Sequence, residues 1–261
     1  MMKKIIALAL AALMICTLVA CGGKEDQVTD DPVINIGTQY LTYTDNDGNT
    51  FTYDYRTSTT VQITAFSGSD EPHAVTIPAT IGEYTVAAIA DEAFFSYSNL
   101  SSITLPEGLV EIGAYAFANC EVLTTVNFPS TLKTIGKGAF YGCDTLSAVD
   151  LSGSTLEYIG AQAFADCPML ATATFPATLA KIDEYAFANC AALTAITLPE
   201  GVKTVGAQAF YNCTAVASLT LPASLVEIGD WAFNPAARDL EDAAITVPEG
   251  SYAAQYIKNA R

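Results

Sequence analysis

At residues 123–143 the sequence reads LTTVNFPSTLKTIGKGAFYGC, and this stretch decides the fold. Val126 and Phe128 alternate with the polar Asn127, which predicts a short strand with one buried face. Pro129 then ends the strand, because proline lacks the N–H group that a β-ladder needs. The first part of the stretch is therefore a short strand followed by a turn.

The second part of the stretch brings the chain back on itself. Leu132 and Ile135 are predicted to point inward, and Gly136 permits the turn that follows them. The Ala-Phe pair at 139–140 is expected to open a short helical or 3₁₀ segment that closes the coil. Its phenylalanine is the large buried plug of the unit, and Cys143 lies three residues later on the same inward side.

The Ala-Phe pair recurs at a nearly constant interval. Neighbouring copies are 23 residues apart, except for one interval of 24, and the extra residue falls within residues 150–155. A single unit of this length cannot bury its apolar face alone, whereas stacking against equivalent units buries it. The period therefore predicts a solenoid. Its repeated phenylalanines are Phe94, Phe117, Phe140, Phe164, Phe187, Phe210 and Phe233.

The repeated pattern, L-x-x-I-G-x-x-A-F-x-x-C-x-x-L-x-x-V-x-L-P, resembles the leucine-rich repeats of the BspA type, also called the Treponema pallidum type. The resemblance covers about Ala74 to Val247. It implies an α/β repeat solenoid dominated by short parallel strands, with short helical or 3₁₀ segments. Commoner leucine-rich repeats carry Asn or Cys shortly after the strand. That residue is absent here, where the equivalent positions hold Gly108, Thr131, Thr178, Gly201 and Ser224.

The first 20 residues predict export from the cytoplasm. Lysines at positions 3 and 4 precede residues 5–19, which carry no charge and are fewer than the ~20 that a spanning helix needs. Residues 18–21, Leu-Val-Ala-Cys, resemble the lipobox of bacterial lipoproteins, and the resemblance implies that Cys21 is diacylated and becomes the N-terminus. The prediction is an extracytoplasmic protein of the bacterial cell envelope, held at the membrane by its lipid. An ordinary signal peptide is the alternative.

The rest of the chain divides by composition. An acidic, Gly- and Pro-punctuated segment follows the predicted lipidation site, and strand-like runs separated by turn residues precede the first repeat. The predicted organisation is a lipoprotein signal peptide at 1–20, a flexible tether at 21–32, a β-rich N-terminal cap at 33–73, the solenoid at 74–250 and a helical cap at 251–261.

The Asp-Asn-Asp-Gly-Asn stretch at 45–49 has two interpretations. It resembles the start of an EF-hand loop, but such a loop needs Gly at its sixth position and Glu at its twelfth, where this sequence has Thr50 and Arg56. Asp-Gly between two aromatic strand-like runs is typical of a hairpin turn. We therefore predict a hairpin turn, with an incidental calcium contact as the alternative.

Composition excludes several functions. The chain has 28 acidic and 11 basic residues and a formal net charge of −17, which becomes −19 once residues 1–20 are removed. Phosphate binding needs clustered Lys and Arg, so no nucleic-acid partner is predicted. A single histidine, His73, argues against a His-based triad or a His-rich metal site. No motif marks a catalytic residue, and we predict a protein without enzymatic activity or cofactor.

Five cysteines share one position of the repeat: Cys120, Cys143, Cys167, Cys190 and Cys213. An exported protein with many cysteines invites a disulfide interpretation. Stacked side chains point the same way with Cβ atoms about 4.8 Å apart, whereas a disulfide needs about 3.8 Å. We therefore expect small buried hydrophobic residues. No metal site is predicted, because metal ligands converge on a point rather than line an axis.

The remaining candidates are surfaces. The outward strand positions carry small polar residues, which serve either solubility or a ligand face. Six aromatic residues stand where other repeats carry mostly small or polar residues, and these either anchor a partner or pack along the wall. The BspA resemblance implies a surface adhesin for host or bacterial proteins or glycans. The alternative is a structural envelope component. The candidate binding residues are Tyr115, Tyr141, Tyr158, Tyr185, Tyr211 and Trp231.

Overall fold

The computed structural model describes residues 41–260, without the side chains of residues 237, 238 and 243. The predicted signal peptide, Cys21, the tether at 21–32, residues 33–40 of the predicted N-terminal cap and residue 261 lie outside the described residues. Within them, the chain begins with three strands, β1 (Leu41–Thr44), β2 (Thr50–Tyr55) and β3 (Thr60–Ser67). β2 lies between β1 and β3 and pairs with β3 in the antiparallel direction, while β3 pairs in parallel with the first coil. The sheet formed by these three strands therefore continues into the solenoid.

Most of the later coils contribute two short strands each. Together they are β4 (His73–Thr76), β5 (Thr80–Ile81), β6 (Tyr84–Ile89), β7 (Leu100–Thr104), β8 (Glu111–Ile112), β9 (Thr125–Asn127), β10 (Thr134–Ile135), β11 (Ala148–Asp150), β12 (Tyr158–Ile159), β13 (Thr172–Thr174), β14 (Lys181–Ile182), β15 (Ala195–Thr197), β16 (Thr204–Val205), β17 (Ser218–Thr220), β18 (Glu227–Ile228) and β19 (Ile245–Thr246). The strand-dominated solenoid predicted from the repeat is confirmed.

The strands form two sides of the coil. One side is the long sheet, in the order β1-β2-β3-β6-β8-β10-β12-β14-β16-β18, with β5 paired to β6. Its register aligns equivalent residues, as in the pairing of Ile135 with Ile112 and Ile159. The second side, called here the strand wall, is divided into three parallel sheets: β4-β7-β9, β11-β13 and β15-β17-β19. Because the pairing is in register, each repeat position forms a column along the solenoid axis.

The third side, called here the turn wall, runs from three residues before to two residues after each core phenylalanine. In residues 137–142 the structure has linked turns where a helical or 3₁₀ segment is expected. Gly138 and Gly142 have left-handed φ values of 58° and 65°, which interrupt any helix. Alternate N–H groups are also used between coils: Gly138, Phe140 and Gly142 donate to the carbonyls of Ala161, Ala163 and Ala165 at 2.7–3.0 Å.

The core is built from columns of buried side chains. The seven repeated phenylalanines stack face to face, with 4.9–5.5 Å between ring centroids and 2–24° between ring planes. Leu132 and Ile135 are buried, as predicted. The five repeat cysteines are also buried and are free thiols. Each Sγ donates to the carbonyl of the core phenylalanine one coil earlier, at 3.2–3.3 Å.

The last coil is closed by short helices. Helix α1 (Ala236–Asp239) and a 3₁₀ turn (Asp242–Ala244) precede β19, and α2 (Tyr252–Ala260) follows it. Ala253 and Ile257 of α2 are buried, and the Tyr256 ring lies edge-on to Phe233 with 6.0 Å between centroids. α2 therefore covers the end of the phenylalanine stack. Among residues 41–260, no helix has the length and apolar character required to cross a membrane.

Candidate binding surface

The turn wall has an unusual backbone. The residue two positions before each core phenylalanine has a left-handed φ of 54–59°, in all seven coils. This conformation costs a residue other than glycine about 1–2 kcal/mol. The column nevertheless carries three aromatic side chains. Its members are Glu92, Tyr115, Gly138, Gln162, Tyr185, Gln208 and Trp231.

A second left-handed column lies two residues after the core phenylalanine. It is occupied mainly by residues that adopt this conformation readily, Asn119, Asp166, Asn189 and Asn212 among them. The Asn189 side-chain amide donates to Asp166 at 2.6 Å, and the Asn212 amide donates to Asn189 at 3.0 Å. These polar side chains hold neighbouring coils together, so the column has a structural role.

Three of the six predicted aromatic residues are exposed on the turn wall. Tyr185, Tyr211 and Trp231 lie on successive coils of the turn wall and are 37%, 36% and 61% exposed. The Tyr211 and Trp231 rings are nearly parallel, 6.4 Å apart between centroids. The Gln208 amide donates to the Tyr185 hydroxyl at 2.7 Å and fixes that ring. We call Tyr185, Tyr211 and Trp231 the aromatic patch.

Tyr115 and Tyr141 lie on the same wall but are half-buried. The Tyr115 ring occupies the space that a side chain at Gly138 would need, and the Lys137 ammonium lies 5.7 Å from the centre of that ring. Tyr141 donates a hydrogen bond to Asp166, which raises the pKa of the Tyr141 hydroxyl. Both side chains are therefore engaged within the protein itself.

Tyr158 lies on a different side of the coil, in β12 of the long sheet. Its hydroxyl donates to an Asp183 carboxylate oxygen at 2.7 Å, and the Lys181 ammonium is 5.5 Å from its ring centre. Burial, together with this hydrogen bond, raises the pKa of Tyr158 to about 12. Burial opposes ionisation of Asp183, but the hydrogen bond from Tyr158 and the nearby Lys181 lower the Asp183 pKa overall. Tyr158 thus belongs to a polar cluster separate from the aromatic patch.

One exposed aromatic side chain of the turn wall was missed by the sequence prediction. Phe95 is 49% exposed and follows a core phenylalanine directly, in the column of Tyr141 and Tyr211. Its column was already defined by the repeat, so its aromatic character was a usable signal. The candidate residues also did not include Gln208, although it orients Tyr185.

The other surfaces offer less chemistry. The Asp45 carboxylate accepts the backbone N–H groups of Asp47 and Asn49 and the Asn49 side-chain amide, so its oxygens are used inside the turn. Among residues 41–260, no group of three His, Cys, Asp or Glu residues is arranged to hold a metal ion. The strand wall has a shallow, open depression of 340 Å³ floored by Ala173 and Phe175.

Solved structures of similar fold come from several bacteria. A leucine-rich repeat protein from Bacteroides ovatus is 28% identical with a TM-score of 0.50, over 70% of this chain and 54% of that one. One from Eubacterium ventriosum is 25% identical with a TM-score of 0.52, over 66% and 50%. This chain thus spans about half the length of those two proteins. The pneumococcal vaccine antigen PcpA shares the fold, with 22% identity and a TM-score of 0.55, over 80% and 70%.

Comparison with known sequences gives a sharper result. No curated protein matches the sequence. The BspA-type leucine-rich repeat region matches residues 59–194 and 180–251, in six copies. These residues include every coil of the solenoid and most of the chain. The chain therefore belongs to the family of BspA-type leucine-rich repeat proteins.

Proposed function

We propose that this protein is a lipid-anchored, extracytoplasmic scaffold that binds a protein or glycan at the bacterial surface and catalyses no reaction. The aromatic patch is the observation that carries the proposal. Trp231 is largely exposed although it is apolar, and it occupies a left-handed backbone position that disfavours a bulky side chain. Exposed aromatic clusters of this kind are typical of binding surfaces.

Binding is tested with the purified protein against a broad panel of extracellular proteins and glycans. A Tyr185→Ala, Tyr211→Ala, Trp231→Ala triple variant is expected to lose binding that the wild-type protein shows. Tyr55→Ala is the matched control, because Tyr55 is an exposed aromatic residue of β2, at the opposite end of the long sheet from the coil of Trp231. A panel with no ligand at all would count against a binding scaffold, as would equal binding by the triple variant.

The anchor is tested separately through Cys21, which lies outside the described residues. Cys21→Ala is expected to abolish incorporation of a fatty-acid label and to release the protein from the membrane fraction, since the sulfur that would carry the lipid is removed. Cys16→Ala is the matched control, because Cys16 lies within the predicted signal peptide. Incorporation of the label by the Cys21→Ala variant would refute lipidation at Cys21, and absence of the label from the wild-type protein would refute the anchor.

A structural role in the cell envelope is the second candidate. The strand wall favours it, because its outward positions repeat small residues such as Thr125, Ala148 and Thr172 and present no aromatic side chain on these strands. Protease added to intact cells distinguishes the two roles. A surface-binding scaffold should be cleaved, whereas a component that braces the inner envelope should be protected.

A further inference from the structure

Two tyrosine rings of this protein are covered by lysines of the same chain. Lys137 lies over Tyr115 at 5.7 Å, and Lys181 lies over Tyr158 at 5.5 Å, each measured from the ammonium to the ring centre. A cation placed over an aromatic face in this way is attracted by the electron-rich face of the ring. The Tyr115–Lys137 pair therefore shows how a cation is accommodated on the turn wall.

The repeat identifies the position that corresponds to Lys137 in other coils. The Tyr115 N–H donates to the carbonyl of Lys137 at 2.7 Å, and the Tyr185 N–H donates to the carbonyl of Ala207 at 3.0 Å. Ala207 is therefore the counterpart of Lys137 in the aromatic patch. Alanine has no side chain beyond Cβ, so the chain places no cation of its own at this position. Gln208 stands here where the coil after Tyr115 has Gly138, so the Tyr185 ring has a different orientation from the Tyr115 ring.

Carboxylates flank this open position. Glu184 and Asp230 occupy the column of Ala207, one coil before it and one coil after it, and both are exposed. Coils are spaced about 4.8 Å apart, so both carboxylates are near neighbours of a cation over Ala207. The positions that flank Lys137 hold Ala114 and Ala161 instead. Negative charge is thus concentrated where the chain's own cation is missing.

We propose that the aromatic patch binds an arginine or lysine side chain of an extracellular protein partner. The cation lies beside Ala207, between Glu184 and Asp230 and within reach of the exposed rings of Tyr185, Tyr211 and Trp231. This inference rests on the proposed surface-binding function and names its partner chemistry. The solenoid supports it electrostatically, because residues 82–233 contain 15 acidic residues, four lysines and no arginine.

Trp231 is the only tryptophan of the chain, so its fluorescence reports directly on this surface. The probes are Gly-Ser peptides that carry three arginines, three lysines or three citrullines, the last being uncharged analogues of arginine. The arginine and lysine peptides are expected to change the Trp231 emission, and the citrulline peptide to bind about tenfold more weakly because it lacks the charge. Binding of the charged peptides should weaken as salt is added.

The decisive variant fills the proposed cation site with a lysine of the chain itself. Ala207→Lys is expected to place an ammonium group between Glu184 and Asp230, and so to weaken binding of the arginine peptide about tenfold without removing any aromatic side chain. Ala148→Lys is the matched control, because Ala148 is an exposed alanine on the strand wall and the change in net charge is the same. It should bind within about twofold of the wild type, since one charge among 17 changes the overall attraction little. The far-ultraviolet circular dichroism spectra of both lysine variants check that they are folded. A Glu184→Gln, Asp230→Asn double variant, which removes the two carboxylates, is also expected to bind the arginine peptide more weakly.

Several results would overturn the inference. Equal weakening by the two lysine variants would show general charge attraction, and equal binding of the arginine and citrulline peptides would exclude a cation site. If a neutral oligosaccharide changes the Trp231 emission and the peptides do not, the patch is a glycan site and the proposed function stands. If no probe responds and the wider panel yields no ligand, both proposals fail.

Discussion

The rings of Phe140 and Phe164 lie 2° from parallel with 5.2 Å between their centroids, although one more residue separates them than separates other neighbours in the stack. The extra residue is absorbed in the loop after β11. There the buried Ser154 hydroxyl donates to the Leu151 carbonyl at 2.7 Å and accepts the Leu156 N–H at 3.3 Å. The core register therefore continues through the insertion, because the loop satisfies its own polar groups.

Replacing a phenylalanine in the middle of the stack should be costly. Phe164→Ala is expected to lower the free energy of unfolding by about 3–5 kcal/mol, because the fully buried ring loses contacts with the coils on both sides. Guanidinium denaturation measures the change. Phe95→Ala, at an exposed phenylalanine, should stay within about 0.5 kcal/mol of the wild type. Similar losses at both positions would contradict the continuous core.

The buried thiols should be chemically inert in the folded protein. Burial raises the pKa of Cys120, Cys167 and Cys213 to about 12, so almost no thiolate is present near pH 8. Iodoacetamide labelling followed by peptide mapping should find these three unmodified until denaturant is added. A cysteine introduced at the exposed Ser218 should react under native conditions. Rapid native labelling of the core thiols would show that the coils open readily.

Trp231 offers a test of backbone strain. Its φ of 58° favours glycine over alanine, so Trp231→Gly is expected to be more stable than Trp231→Ala by about 1 kcal/mol. Both variants lack the ring, and thermal denaturation compares them directly. At Ala148, in an extended strand, glycine should instead be less stable than the native alanine by about 0.5–1 kcal/mol. A Trp231→Gly variant no more stable than Trp231→Ala would argue against the left-handed backbone.

The stability that the Tyr158–Asp183 interaction contributes should be lost in an alkaline pH range. The pKa of Tyr158 is raised from 10.0 to about 12 on folding, so its contribution is complete below pH 10 and is lost as the pH rises to 12. Tyr158→Phe is expected to cost about 1 kcal/mol at neutral pH, since the hydrogen bond is lost. The difference between wild type and variant, measured by denaturation at pH 8 and pH 11, should shrink at the higher pH. An unchanged difference would contradict the shift.

The sequence predicts the core well because the core obeys a period. Val126, Leu132, Ile135 and Phe140 point inward in the structure as the alternation and spacing require, and the cysteine column is buried as its stacking geometry requires. Because the coils are parallel and in register, a given repeat position has the same surroundings in every coil. The burial predicted for one repeat therefore applies to its neighbours. This is why the extra residue near Ser154 could be located without disturbing the rest.

The surface was harder to predict, because the turn wall does not follow ordinary residue preferences. Tyrosine and tryptophan rarely adopt a left-handed conformation, so the residue types at positions 115 and 231 do not predict the one found there. Only one coil carries a sequence signal for the left-handed turns. It holds glycine at both positions, Gly138 and Gly142, and glycine adopts this conformation readily. The pairing of Tyr185 with Ala207 depends on an offset of one residue between hydrogen-bonded neighbours, which spacing alone does not reveal.

The left-handed column that lies two residues before each core phenylalanine can carry different side chains in different coils. Glutamate, glutamine, glycine, tyrosine and tryptophan all occupy it with φ between 54° and 59°, so the backbone beneath does not depend on which side chain it carries. A chemical group can therefore be relocated along the axis by substitutions at two coils, in steps of about 4.8 Å, without redesign of the scaffold. A chain built in this way can change what it contacts through point mutation while it keeps the way it folds.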